Sequence, residues 1–222
     1  MIKQVRANIK DAISYLADKM EIPLDVLHTY EKPDIFVVDK VGFFDRNGKC
    51  LMECHGKHVF SLNRIEIGKE HVKNIFTLAE EASHYLHGRL NPEIHSLDSK
   101  PYQGEFWNCL ELRELVGGYG ALSYVASKGR KFIFKDFELP EDFESSLESK
   151  INALMDYHSY KGHVRAEKAF KKYGDSLLPV LPRLSLEEAK VEIPRLIPIN
   201  AYEQLYLPIV RKISEIRKKF LG

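Results

Sequence analysis

One short apolar stretch of the chain, Phe76 to Gly88, carries most of the residues that could do chemistry. Its apolar positions recur at the spacing of a buried helix face, at Leu78, Ala82, Tyr85 and Leu86. Set among them are Glu80, Glu81, His84 and His87. Buried charge is costly unless it is paired or bound to a metal. The stretch therefore predicts a helix whose ionisable side chains form either ion pairs or a metal site.

The spacing within this helix favours a metal site over ion pairs. Glu80 and His84 are four residues apart, so they share one helix face and can reach a single ion. Glu81 lies one position round the helix, where a general base can reach a water activated by that ion. His87 is seven residues from Glu80, about 10 Å along a helix. At that distance the two side chains cannot easily bind the same ion.

The spacing also matches the zinc-protease motif H-E-x-x-H, with Glu80 in place of the first histidine. The stretch and its surroundings resemble the ImmA/IrrE-type metalloproteases. The residues that carry the resemblance are Phe60-Ser61-Leu62-Asn63, Phe76-Thr77-Leu78-Ala79 and Tyr85-Leu86. It covers Ile22 to Val125 in outline and is close over Phe76 to Leu86. It implies a zincin-like domain, in which a small antiparallel sheet packs on the metal-binding helix.

The resemblance also implies an activity and a third ligand. The activity would be metal-dependent hydrolysis of a protein substrate, such as a regulator, with Glu81 as the general base. In that family the third ligand is a Glu on the next helix. Glu111 fits that pattern better than Glu114, since Leu115 and Val116 then fall where the family has Phe and Ala. The predicted metal ligands are Glu80, His84 and either Glu111 or Glu114.

The exchange of His for Glu at position 80 bears on which ion is bound. Two carboxylates and one imidazole nearly neutralise a divalent ion, so a bound water would be less acidified than at a two-histidine site. Oxygen ligands also favour harder ions. We therefore expect Zn²⁺ or another divalent ion such as Mn²⁺.

Other interpretations of these residues stay open. Glu80 and His84 could be a paired carboxylate and a core histidine, in a non-catalytic protein-binding module that keeps the protease scaffold. A di-iron site would need a second Glu-x-x-His, which the sequence lacks. His158 and His163 are expected to be structural or to line the cleft. A zinc site in the hairpin is not expected, because strand alternation separates its candidates, Cys50, Cys54, His55 and His58.

The whole sequence sets the class of protein. Its 222 residues are 44% hydrophobic with a net charge of +1, an ordinary globular composition without a basic excess for nucleic acid. No apolar run has membrane-spanning length, and the first residues lack a signal-peptide core. Three scattered cysteines do not indicate a disulfide framework. We expect a cytoplasmic protein.

The remaining pattern predicts an α+β fold. Helices are expected at Lys3–Met20, Leu24–Tyr30 and Glu105–Ser127, with a long helix ending near Gly174. Strands are expected at Ile35–Val38 and within Gly42–Phe60, with turns at Arg46-Asn47-Gly48 and Gly56-Lys57. A charged loop is expected over Ile65–Lys73. Residues 1–135 would form the metallopeptidase-like domain, and residues 136–222 a helical C-terminal extension with capping boxes at Ser185/Glu188 and Asn200/Glu203.

Overall fold

The computed structural model describes residues 1–44, 50–96, 105–132, 134 and 147–197. This part of the chain is α+β, as predicted, and it is mostly helical. Its helices are α1 (Ile2–Lys19), α2 (Leu24–Thr29), α3 (Ile75–Leu90), α4 (Pro92–Ser96), α5 (Phe106–Ser127), α6 (Leu147–Tyr173) and α7 (Leu186–Leu196). Its strands are β1 (Asp34–Val38), β2 (Val41–Phe44), β3 (Cys50–Cys54), β4 (Gly56–Val59) and β5 (Arg64–Gly68).

The main sheet is mixed, which corrects the predicted antiparallel sheet. Its described strands run in the order β1-β5-β4, with β1 parallel and β4 antiparallel to the central strand β5. Strands β2 and β3 form a separate antiparallel pair. A parallel pair needs a crossover connection, and here the chain between β1 and β5 passes through β2, β3 and β4.

Two local predictions in this region are wrong. The expected charged loop contains strand β5, in which the buried Ile65 and Ile67 alternate with Arg64 and Glu66. That period of two is the pattern of a strand. The expected turn at Gly56-Lys57 is instead the start of β4, and the chain bends just before it, at His55.

Helix α3 lies at the centre of the fold. It begins at the N-cap Asn74, whose side chain accepts hydrogen bonds from the backbone N–H groups of Phe76 and Thr77. Nearly all of its middle is buried, because α1, α5 and the sheet pack around it. Helix α6 packs along α5 and does not touch α3 as extensively. Each functional side chain of α3 is therefore enclosed by other elements.

Glycines allow these helices to approach closely. A Cβ added at Gly117 of α5 would lie 2.7 Å from Nε2 of His84, and one at Gly162 of α6 would lie 2.5 Å from Cβ of Glu114. Both distances are shorter than atoms tolerate. The glycines, which lower helix propensity, therefore mark the crossings of α5 with α3 and of α6 with α5.

The long helix predicted to end near Gly174 is confirmed as α6, which ends at Tyr173. Ser185 and Glu188 form the predicted capping box at the start of α7. The predicted boundary at residues 135/136, the turn at residues 46–48 and the capping box at Asn200/Glu203 lie outside the described residues. The division into two domains stays a prediction. None of the described helices has the length and apolarity needed to cross a membrane.

Candidate metal centre

Three side chains from three helices meet at one point. Glu80 comes from α3, Glu114 from α5 and His163 from α6, and one ligand atom of each lies within 4.8 Å of the other two. The Nε2 atom of His163 lies 2.5 Å from Oε1 of Glu80 and 3.3 Å from Oε2 of Glu114. All three residues are partly buried. We call this set the carboxylate–histidine centre.

His84 lies at the edge of this centre. It is only 6% exposed, and its Nε2 atom is 3.9 Å from Oε1 of Glu114. Its other ring nitrogen, Nδ1, is buried without a hydrogen-bond partner among the described residues. Glu80 and His84 thus face the same region from successive turns of α3, as their spacing predicts.

Aromatic rings hold His163 in place. The Phe134 ring stacks on the imidazole with centroids 4.7 Å apart and an interplanar angle of 8°. The Phe76 ring meets the same imidazole edge-on at 6.3 Å. These contacts fix the plane of His163 beside the two carboxylates.

The structure places Glu111, the preferred third carboxylate, away from the centre. Its carboxylate is paired with Arg165, with Lys161 at 3.1 Å and with His158 at 3.6 Å, all on α6. Glu114 is three residues further on, so it points about 60° round the helix, toward His84 and His163. The cations of α6 occupy the face of α5 that carries Glu111.

Sequence reasoning also missed His163 as a candidate ligand. It is 83 residues from Glu80 in the chain, and no motif joins the two. The one local signal is the preceding Gly162, because an isolated glycine in a helix often marks a close approach. His163 was expected to be structural or to line the cleft, and it does line the cavity described next.

The centre opens on a cavity of about 320 Å³. Strand β4, an edge strand of the described sheet, forms one wall, and apolar side chains of α5 and α6 form part of another. The ionisable residues that line it include Glu80, Glu81, His84, Arg113, Glu114 and His163. A volume of this size is at the lower end for binding sites of small molecules or short peptide segments.

Glu81 lies in the wall between α3 and β4. It is 4% exposed, and a Cβ added at Gly56 would lie 2.8 Å from its Cγ. Burial raises the pKa of Glu81 well above its usual value, and the nearby charges of Glu80 and Glu114 raise it further. The backbone N–H of His58 donates a hydrogen bond to the carboxyl group and opposes that shift. A divalent cation at the neighbouring centre would favour the ionised form of this carboxyl group.

Interactions within the carboxylate–histidine centre shift the pKa values of His163 and Glu114 strongly. Burial alone would lower the pKa of His163, but the charges of Glu80 and Glu114 and its hydrogen bonds to them outweigh burial and raise it to about 10. Burial opposes ionisation of Glu114, and the hydrogen bond and charge of His163, with the charge of His84, lower its pKa. Without metal, a protonated His163 therefore bridges two carboxylates.

This arrangement predicts how the stability of the metal-free protein depends on pH. The pKa of His163 is raised on folding, so its stabilising contribution is complete below about pH 6.5 and is lost as the pH rises toward about 10. We expect the difference in melting temperature between chelated wild type and His163→Gln to shrink over that range. A difference that stays constant, or grows, from pH 6 to pH 10 would show that His163 is not held in its protonated form.

Comparisons with known proteins do not place the chain in a family. No protein-family model matches it, and neither a curated protein nor a solved structure matches it. The functional argument therefore depends on the residues of the centre itself.

Proposed function

We propose that this protein is a metal-dependent peptidase of the ImmA/IrrE type, with Zn²⁺ or Mn²⁺ held by Glu80, Glu114 and His163 and with His84 as a further donor. The observation that carries the proposal is the meeting of these donors from three helices beside a cavity that also contains the buried Glu81. Carboxylate and imidazole donors suit both ions.

The centre also accounts for the departure from the zinc-protease motif. The first histidine of H-E-x-x-H is missing because position 80 is Glu. His163 brings an imidazole to the same place from α6, with Nε2 2.5 Å from the Glu80 carboxylate. With Glu114, and with His84 as a further donor, it would supply the two histidines and one carboxylate of a catalytic zinc site, to which Glu80 would add a second carboxylate.

The chain's own residues would divide the reaction as follows. A divalent ion in the centre would acidify a water and polarise the scissile carbonyl. Glu81 takes the proton from the attacking water and passes it to the leaving nitrogen. The pKa of Glu81 is raised in the metal-free protein, and a cation at the centre would favour its ionised form, the form in which a carboxyl group can accept a proton. The cavity beside β4 holds the peptide.

One observation favours a second candidate function. His163 already bridges Glu80 and Glu114, so the centre can be satisfied as an ion-paired network without a metal. In that case the protein would be a non-catalytic protein-binding module that keeps a protease scaffold.

Cleavage of a peptide library distinguishes the two candidates. We expect the purified protein, supplied with Zn²⁺ or Mn²⁺, to cleave peptides from a digested proteome at sites that mass spectrometry can map. A chelator should abolish cleavage, and re-addition of the ion should restore it. Cleavage that survives both a chelator and the His163→Gln substitution would point to a contaminant. Absence of cleavage by a metal-loaded protein would favour the binding module.

A further inference from the structure

The cavity beside the carboxylate–histidine centre follows the groove between α5 and α6. These two helices run in the same direction. Trp107 of α5 contacts His158 of α6 with ring centroids 5.2 Å apart, and twelve residues further along each helix Tyr119 contacts Phe170 at 5.8 Å. Positions along the groove can therefore be counted in helical turns on both helices at once.

Successive turns of both helices line this cavity. From the centre toward the N-terminal ends of the helices, the lining residues are Glu114 and His163, then Leu110 and Ser159, and then Phe106, Met155 and Asp156. Asp156 precedes His163 by seven residues, which is about two turns, so the two side chains project from the same face of α6 about 10 Å apart. Along the groove, the cavity thus leads from the centre to Asp156.

Asp156 is the acidic residue of the described cavity lining that lies away from the centre. No hydrogen bond or ion pair joins its carboxyl group to any residue that the structure describes. The side chain is exposed to solvent, yet burial raises its pKa. A carboxyl group in a cleft has both properties, because protein surrounds most of it while one side stays open. An incoming cation would stabilise its ionised form.

The groove between the centre and Asp156 is partly apolar. Leu110 of α5 and Met155 of α6 line it on either side. Lysine and arginine side chains combine an apolar stem with a charged head, so the stem can lie along Leu110 and Met155 while the head reaches Asp156. Such a side chain extends about 6–7 Å from its Cα, and its backbone adds a few Å. The total is comparable with the distance of about 10 Å between His163 and Asp156.

We propose that Asp156 forms a subsite for a lysine or arginine side chain of the substrate, with Leu110 and Met155 along the stem. The inference rests on the proposed peptidase function, since it assigns a substrate class to the same cavity. A carboxylate at the end of an apolar slot selects basic side chains in serine proteases of an unrelated fold by the same physical principle.

Two cations, Lys57 and Arg113, line the cavity as well. Arg113 directly precedes Glu114 and so belongs to the level of the centre. Burial lowers the pKa of His84, and the charge of Arg113 adds to that shift. Lys57 lies on β4, in the other wall. Both cations interact with other groups of the protein, whereas Asp156 has no such partner among the described residues. The group that an incoming side chain can satisfy is therefore the carboxylate.

The cleavage sites mapped from the peptide library provide the first test. We expect lysine or arginine at one fixed position near the scissile bond. Replacing an arginine there by citrulline, which is neutral and of similar size, should lower kcat/KM about 10–100-fold. Asp156→Asn should cause a similar loss on the arginine peptide and leave the rate on the citrulline peptide unchanged. Glu167→Gln, at a carboxylate of α6 that does not line the cavity, is the matched control and should change neither rate.

The outcomes separate the subsite from the peptidase activity. Cleavage with no preference for a basic residue, or with a preference for an acidic one, would overturn the subsite and leave the proposed activity standing. Absence of all cleavage would count against the activity, and binding would then test Asp156. In an NMR titration, acetyl-Ala-Arg-Ala-amide should bind the protein at least about tenfold more tightly than its citrulline counterpart, and Asp156→Asn should remove the difference. Equal binding of the two tripeptides, or binding of neither, would overturn the subsite.

Discussion

Glu81→Gln is expected to lower kcat of the proposed peptidase activity about 10²–10⁴-fold, because it would remove the proposed general base and leave the proposed metal ligands in place. The substitution keeps the size of the side chain, so the packing against Gly56 is retained. Metal content should be unchanged. Initial rates on a peptide identified from the library, with metal content measured on the same samples, provide the test.

The free energy of unfolding distinguishes loss of the base from loss of the fold. The pKa of Glu81 is raised by burial, so a neutral amide at this position should cost little free energy of unfolding or even stabilise the protein. Glu70→Gln, at an exposed carboxylate just before α3, is the matched control and should leave the rate unchanged. A Glu81→Gln variant with at least half the wild-type rate would exclude Glu81 as the proposed base.

Glu114→Gln is expected to weaken metal binding at least about 100-fold, and Glu111→Gln only a few-fold. The two residues lie one turn apart on α5, and their side chains are similarly buried, at 15% and 11% exposure. The same substitution at both is therefore a matched pair. Only the Glu114 carboxylate reaches His163 and His84. Direct replacement of a ligand should cost more than the roughly 10–100-fold typical of its supporting groups.

Glu111→Gln should show its effect in stability. It leaves Lys161 and the partly buried Arg165 without their carboxylate, so denaturant unfolding should reveal a clear loss of free energy. Titration with Zn²⁺ and Mn²⁺ by calorimetry measures the affinities. The reverse order of affinities would mean that the helix register predicted from the sequence was right.

The sequence predicts the part of the centre that is local in the chain. The helical period of α3 places Glu80 and His84 on one face, and in the structure both side chains face the same region. The family resemblance favours Glu111 over Glu114, but nothing local in the sequence decides between them. Both lie on the buried side of α5, and the choice depends on where the cations of α6 fall when the two helices pack.

Contacts between distant parts of the chain also limit the prediction of His163. His163 joins Glu80 only because Gly162 lets α6 approach α5 closely. The sequence predicts a loop at β5 because Arg64 and Glu66 raise its charge, although the buried Ile65 and Ile67 alternate with them. The partner of His163 lies on another element, which no local pattern contains, whereas the alternation in β5 is itself a local strand pattern.

Anomalous diffraction from crystals grown with Mn²⁺ or Zn²⁺ tests the central claim most directly. The account predicts a peak between the Glu80, Glu114 and His163 side chains, about 2.0–2.2 Å from a carboxylate oxygen and from Nε2 of His163. A peak there that disappears in His163→Gln would confirm the centre. A metal-saturated crystal in which His163 still bridges both carboxylates, with no peak between them, would contradict it.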